Sequence, residues 1–417
     1  SMKIFITSCY KQQKERKMNE QFLQALPILK KIEKNGFEAV YVGGCVRDAL
    51  LNRPIHDVDI ATSATPEEIK AIFPKTVDVG IEHGTVMVLE NGDSYEVTTY
   101  RAESEYVDFR KPKEVKFIRS LRDDLERRDF TMNAIAMNTN GDLIDPFDGQ
   151  RALREREIVT VGSADERFHE DALRMMRAVR FVSQLSFSCT PETLSSLKTH
   201  KALLKQISIE RITVEFEKML DGKNVQAAIS LLTESELFLY LPGLADKKDQ
   251  LRSLSEFDLA QLKNVNEKWA VVMLRTTAVD EIETVLRQWR LSVKRIREII
   301  GIVRAVVDLP EKENDRMRLF TNGLECCVSA CRIWSIIHHL ENNEHTVSKL
   351  KQLWNSLVIH DYSELAITGH QLIEWSDRAK GPWISETLRI VTEKVLNGEI
   401  ENDIESIRVG VEQWNLI

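Results

Sequence analysis

Apolar and polar positions alternate with a helical period from Asn19 to Asn35. Gly36 follows as the stop signal, because glycine enters the left-handed backbone of a C-terminal cap at no steric cost. The apolar run Phe37 to Val42 then reads as a short strand, cut off at Gly43 and Gly44. Behind the glycines Arg47 and Asp48 fall on the first turn of a helix, and after a break at Asn52 and Pro54 the chain re-enters a strand carrying Asp57 and Asp59. Thr65-Pro66-Glu67-Glu68 is a capping box with proline at the first helical position, which predicts a helix to about Phe73. Beyond it the period drops to two. Thr85 to Glu90 and Tyr95 to Arg101 flank Asn91-Gly92, and Asn140-Gly141 joins Asn133 to Asn138 with Asp142 to Ile144, both hairpin signals. The first part of the chain, residues 19 to 150, is thus expected to be a mostly antiparallel sheet with helices on one side.

After residue 150 glycine and proline thin out and the pattern is helical to the end, giving an α+β chain with an all-α remainder. Its first helix spans Glu170 to Arg180, with Asp171 and Arg174 one turn apart. Between the first hairpin and the next helix, RAESEYVDFRKPKEVKF is charged and contains Pro112, and it reads as a mobile loop of functional length. The opening SMKIFITSCYKQQKERKM has too short an apolar core for a secretory signal, and Ser1 before Met2 looks like an added residue, so residues 1–18 are expected to be a leader.

At 417 residues the chain is too long for one ordinary core. With 43% hydrophobic and 29% charged residues it has a soluble composition, and no run is long enough to span a bilayer, which excludes a membrane protein. Six cysteines without CxxC or framework spacing place it in a reducing cytoplasm. The net charge of -8 argues against indiscriminate nucleic-acid affinity. Locally the sign inverts: nine basic residues lie between Arg101 and Arg128 and seven between Arg151 and Arg180, two runs that suit a polyanion.

The candidate chemistry begins in YVGGCVRDALLNRPIHDVDIAT. Two residues without a Cβ let backbone N–H groups approach a phosphate, and two carboxylates spaced by one residue on a strand face one spot, as hard cations with oxygen ligands require. Taken singly, a glycine pair is a tight turn and DxD a solvated strand end. A second constellation is RRDFTMNA, where Arg127 and Arg128 could grip triphosphate oxygens and Asp129 could accept from ribose hydroxyls; the plain alternative is a helix C-terminus with arginines that complement its dipole. A third is Asp171 with Arg174. A carboxylate accepting from an exocyclic amino group, beside an arginine donating to the neighbouring ring nitrogen, fits cytosine and adenine and rejects uracil and guanine; otherwise the two make a surface ion pair of little energetic weight.

GGCVRDALL followed by HDVDIAT resembles the signature of DNA polymerase beta-like nucleotidyltransferases, and more narrowly the branch of bacterial CCA-adding enzymes and poly(A) polymerases. RRDFTxNA is similar to that family's ribose and triphosphate motif, and the Glu170-Asp171 to Arg174 stretch to the EDxxR base-reading motif of class II CCA-adding enzymes. The resemblance is strong from Tyr41 to Arg180 and continues through IERITVEFEKML, Ile209 to Leu220. It implies template-independent addition of C, C and A to tRNA 3′ ends from CTP and ATP, with two Mg2+ ions on Asp57 and Asp59. Gly44, Arg47 and Arg128 would bind triphosphate, Asp129 ribose, and Asp171 with Arg174 the base. Arg177 and Arg180 would lie nearer the phosphates, and Glu96 would support the metal site. By the same resemblance residues 19–152 form a catalytic head, 153–225 a neck, 226–320 a body and 321–417 a tail that holds the acceptor and T-arm of tRNA. The loop at 101–117 would help the site change from CTP to ATP, and its segment from Arg110 to Val115 disfavours a CC-only enzyme. A poly(A) polymerase and an inactive tRNA-binding scaffold are the alternatives. His338, His339, His345 and His360-Asp361 could suggest an HD phosphohydrolase domain, but Asp361 reads as a helix N-cap.

Overall fold

The computed structural model describes residues 18–417 apart from 81–82, 104–105, 108–110, 113–114, 310–314, 341–343 and 377. The expected leader therefore lies, Met18 excepted, outside the described residues, as do parts of the 101–117 loop. The chain forms two compact units, the first reaching Tyr240 and the second running from Leu241 to Ile417.

The first unit opens with helix α1 (Glu20–Lys34), whose Phe22, Ile28, Leu29 and Ile32 are buried, and Gly36 follows it with the positive φ of 89° that the sequence predicts. Strand β1 (Ala39–Val42) comes next, and its Tyr41 hydroxyl donates to the Phe22 carbonyl oxygen at 2.6 Å, so α1 is fastened to the sheet. Helix α2 (Gly44–Leu50), strand β2 (Asp59–Thr62) and helix α3 (Pro66–Ile72) follow, and both halves of the Thr65–Glu68 capping box are formed. Then come β3 (Thr76–Gly80), β4 (Thr85–Glu90) and β5 (Asp93–Thr99). Asn91 and Gly92, at φ 53° and 88°, make the turn that the dipeptide predicts. With β10 (Ala136–Met137) and β11 (Leu143–Ile144), an antiparallel pair, the sheet has seven strands in the order β11-β10-β1-β2-β5-β4-β3.

The sheet is mostly antiparallel, as expected, its one parallel pair being β2 with β5, which sets Asp59 beside Glu96. Three expectations change here. The edge strand β3, with Val77 and Val79 exposed, was not foreseen. Asn133 to Asn138 is not one strand: a 3-10 turn at Thr131–Asn133 precedes the two residues of β10. Finally, the stretch read as an irregular loop contains paired strands. β6 (Arg101–Glu103) pairs with β9 (Val115–Phe117), and β7 (Tyr106–Val107) with β8 (Lys111–Pro112), Pro112 being tolerated because each strand of that short pair is an edge.

The head's core gathers Val40, Val42, Ala61, Tyr100, Leu125, Ala134 and Ala136 from the sheet, the helix α4 (Leu121–Glu126) and the segment after it. Helices α5 (Gly149–Glu155), α6 (Ala164–Glu170), α7 (Leu173–Leu185), α8 (Pro191–His200), α9 (Ile209–Leu220) and α10 (Val225–Glu234) complete the unit. α7 is buried over most of its surface, Arg174 and Arg180 included, because it packs against both α9 and α10.

The second unit is helical. Trp269 and Trp289 are fully buried with ring centroids 5.0 Å apart, and the Trp289 indole donates to the Pro242 carbonyl oxygen at 2.9 Å. The fully buried Glu267 accepts from Ser329 at 2.8 Å and from Arg332, a pairing that removes the cost of a lone buried charge. Asp361 caps the short turn Tyr362–Glu364 by accepting from Ser363 N, in keeping with its reading as a cap. Among the described residues no group of three or more His, Cys, Asp or Glu is arranged to hold a metal, no cysteine is in a disulfide, and no helix is long and apolar enough to cross a membrane.

Candidate active site

The turn between β1 and α2 fixes the geometry. Gly43 has φ 73° and ψ -134°, a conformation that side chains disfavour, and a Cβ there would lie 3.2 Å from Arg128 Nη1 and 3.6 Å from Asp59 Oδ2. One glycine thus stands between a cation and an acid that are far apart in sequence. Gly44 begins α2, and Arg47 on the same helix holds Asp48 with two hydrogen bonds, Nε to Oδ1 at 3.1 Å and Nη2 to Oδ2 at 2.9 Å. Its remaining Nη1 donates to Asn133 Oδ1 at 2.8 Å.

Asp59 is the first residue of β2, whereas Asp57 lies in the extended segment just before it, a correction to the expectation that one strand carries both. Both are exposed. Although open to solvent, Asp59 lies low among protein atoms: partial desolvation first, then the charges of Glu96 and Asp57, raise its carboxyl above the ordinary range, while Arg128 opposes them. Arg128 is itself engaged elsewhere, donating from Nη2 to Asp124 at 3.1 Å. A divalent cation with oxygen ligands would relieve the repulsion between the two exposed carboxylates of Asp57 and Asp59.

The Arg127-Arg128-Asp129 segment leaves the end of α4, with Arg127 as the C-cap residue. Both arginines converge on Asp124, 1% exposed, which accepts from Arg127 Nε at 3.1 Å and Nη2 at 2.9 Å, from Arg128, and from Arg101 N at 3.2 Å. Burial would raise the Asp124 carboxyl, but these two guanidiniums and the hydrogen bonds hold it below its ordinary value. Asp124 was missed from sequence, though its spacing of three and four from the arginines was a signal. Asp129 is enclosed. Its Oδ1 accepts from Phe130 N at 2.8 Å and Asn133 Nδ2 at 3.0 Å, and its Oδ2 from Arg177 Nε at 2.7 Å. Burial pushes this carboxyl up, yet the Arg177 charge and the three hydrogen bonds outweigh it and bring it to about 2.

The base-reading candidates sit at a joint. The helix expected from Glu170 to Arg180 is interrupted: α6 ends at Glu170, Asp171 is extended at φ -143°, and α7 begins at Leu173. Asp171 Oδ1 accepts from Leu173 N at 3.0 Å, satisfying a free donor of the new helix, and Oδ2 accepts from Arg211 Nη2 at 2.9 Å. Asp171 and Arg174 therefore do not pair with each other. Arg174, 7% exposed, donates to Glu170 Oε2 at 2.6 Å, Arg167 O at 3.2 Å and Arg127 O at 2.8 Å. Arg180 is nearly buried, 3.2 Å from Glu215 on α9. Burial first, and the charge of Arg177 next, lower the Arg180 guanidinium to about 10. Arg211 and Glu215 were not singled out in sequence, though they lie one turn apart within IERITVEFEKML.

These contacts bring the dispersed residues together. α7 touches the segment that holds Arg127 and Asp129, Arg128 and Asp59 flank Gly43, and Glu96 is the register neighbour of Asp59.

Residues 39–159 match the model of the Poly A polymerase head domain, 186–248 that of the probable RNA and SrmB-binding site of polymerase A, and 260–410 that of the putative domain 2 of tRNA nucleotidyltransferase. The chain is 45% identical over 398 residues to the CCA-adding enzyme of Bacillus cytotoxicus, covering 95% of this chain and 100% of that one. It is 46% identical over 401 residues to the CCA-adding enzyme of Geobacillus sp. strain WCH70, covering 96% and 99%. The structure of the Bacillus stearothermophilus CCA-adding enzyme in complex with CTP is similar with a TM-score of 0.86 at 44% identity, over 95% of this chain and 98% of that one.

Proposed function

The chain belongs to the CCA-adding enzymes, and we propose that within this family the cleft between Asp59 and Asp171 is where one nucleotide is bound, read and joined to RNA. As a member it is a nucleotidyltransferase that adds C, C and A to the 3′ end of tRNA from CTP and ATP without a template, releasing diphosphate. The observation that supports the site reading is that α7 bonds the Arg127–Asp129 segment, whose Arg128 stands across Gly43 from Asp59.

In this reading Asp57 and Asp59 hold two divalent cations, Mg2+ by preference for oxygen ligands, with Glu96 in support. Such ions, when bound, supply Lewis acidity at the attacking 3′-hydroxyl and at the leaving diphosphate. The remaining work belongs to side chains. Gly43 and Gly44 let the first turn of α2 approach the phosphates, and Arg47 and Arg128 balance their charge. Asp129 receives the ribose hydroxyls, which requires Arg177 to share or yield its carboxylate; Arg177 and Arg180 then face the phosphates. Asp171 accepts from the exocyclic amino group of C or A and Arg174 donates to the adjacent ring nitrogen, so a keto group at that place meets a carboxylate it cannot bond.

We assign residues 19–152 to a catalytic head, 153–225 to a neck, 226–320 to a body and 321–417 to a tail that grips the acceptor and T-arm by shape and backbone contacts. Action on tRNA, and cysteines that are free of disulfides among the described residues, support a cytoplasmic place. Incubation of tRNA transcripts ending before CCA with CTP alone, ATP alone and both tests the reading. Addition should stop at two C with CTP and finish with A only when ATP is present; unlimited A addition to any RNA would overturn it.

A further inference from the structure

Three guanidiniums from two helices lie against one aromatic ring. The guanidinium carbons of Arg47 on α2 and of Arg177 and Arg180 on α7 lie 5.2, 5.4 and 4.3 Å from the centroid of Phe181. Phe181 is 3% exposed, and Phe130, next to Asp129, meets it edge-on at 5.8 Å and 89°. Three like charges this close repel, and the acids that offset them, Asp48, Asp129 and Glu215, each reach only part of the cluster. A ring face attracts a guanidinium through its quadrupole while leaving the N–H rim available for oxygen ligands, so ring and anion can hold the same arginine together.

We propose that Phe181 is a positioning residue for the triphosphate: its ring is the shared platform that keeps Arg47, Arg177 and Arg180 aimed into the cleft before a nucleotide arrives. The inference rests on the reading of those arginines as triphosphate ligands. Without the platform the cations would spread apart, and ordering them would be charged against binding. An apolar side chain of similar size would fill the space without doing this.

Fluorinated phenylalanines separate the two roles, because they keep shape and burial while draining the ring face step by step. The full-length protein carrying mono-, di- and trifluorophenylalanine at position 181 is titrated with inorganic tripolyphosphate in metal-free buffer and with CTP and ATP. Affinity should fall in a graded series, to roughly a tenth at the end, with little change for cytidine, which lacks the phosphates. A flat or reversed series in proteins that melt like the parent overturns the platform while leaving the arginine reading intact. Arg47→Gln, titrated in parallel, tests that reading separately: if it binds tripolyphosphate as the parent does, the reading falls and the platform with it.

Discussion

Arg211 donates to Asp171 across 2.9 Å, from α9 to the joint between α6 and α7. The carboxylate proposed to read the base is therefore oriented by a side chain forty residues away, and both of its oxygens already accept, Oδ1 from Leu173 N and Oδ2 from Arg211. Arg211→Gln should loosen that orientation while sparing the phosphates. Incorporation of UTP relative to CTP should rise by roughly tenfold, the scale of one charge-assisted hydrogen bond, with the KM for CTP little changed. An unaltered UTP to CTP ratio would remove Arg211 from base selection.

Asp57→Ala and Asp59→Ala should each lower nucleotide incorporation by roughly a thousandfold or more, since several kcal/mol of charge stabilisation by the cations would be lost. Affinity for tRNA should stay within a factor of two or so. Incorporation at the parental rate in either variant would rule out the metal assignment.

The two glycines should separate strain from space. Gly43 has a positive φ of 73°, and a Cβ there would press on Arg128 Nη1 at 3.2 Å. Gly43→Ala should cost about 1 to 2 kcal/mol of stability and most of the activity. Gly44→Ala meets only Arg47 Nη2 at an ordinary 3.5 Å, so it should melt like the parent and instead raise the KM for CTP and ATP together. Equal melting of the two variants would count against the turn as described.

Asp129 makes a prediction in pH. Its folded carboxyl is held down at about 2, below the ordinary 3.8, so its contribution is present in full above the unfolded value and is lost as pH falls through the folded one. The window is therefore pH 5 to 2. The difference in urea stability between the parent and Asp129→Asn should shrink by about 2 kcal/mol across that window, and a constant difference would mean that the Arg177 pairing does not stabilise the ionised form.

Local chemistry was legible in the chain and long-range register was not. The capping box at Thr65, the Asn91-Gly92 turn and the stop at Gly36 each depend on neighbours within four residues, and each stands as expected. That Asp59 lies beside Glu96 depends on the parallel pairing of β2 with β5, which no local pattern encodes. The interruption at Asp171 was hidden for a different reason. Glu170 to Arg180 consists mostly of good helix formers, and the break arises because the Asp171 carboxylate captures Leu173 N and is held by Arg211, a tertiary partner that overrides propensity. β3 escaped notice because it is an edge strand whose Val77 and Val79 face solvent, so burial never imposed an alternation. Of the candidate site, the residue types were readable; who holds whom was not. Asp124 and Glu215 stood at helical spacing from arginines, a signal that surface ion pairs share, and Phe181 carried no mark that distinguishes it from ordinary core.

One side of α7 is tied down at every turn. Arg174 bonds Arg127 O, Arg177 grips Asp129, Phe181 carries Arg47, and the Gln184 carbonyl oxygen near the helix end accepts from Arg53 Nη1 at 2.8 Å. Eleven residues of helix, Arg174 to Gln184 and roughly 15 Å from first to last, are thereby clamped as a gauge of fixed length. A pyrimidine and a purine differ in width, and a clamped gauge cannot slide to suit each. If one pair of side chains serves both, the adjustment has to be made where the rod is jointed, at Asp171 and Ala172, and stiffening that joint should leave an enzyme able to measure only one of its two bases.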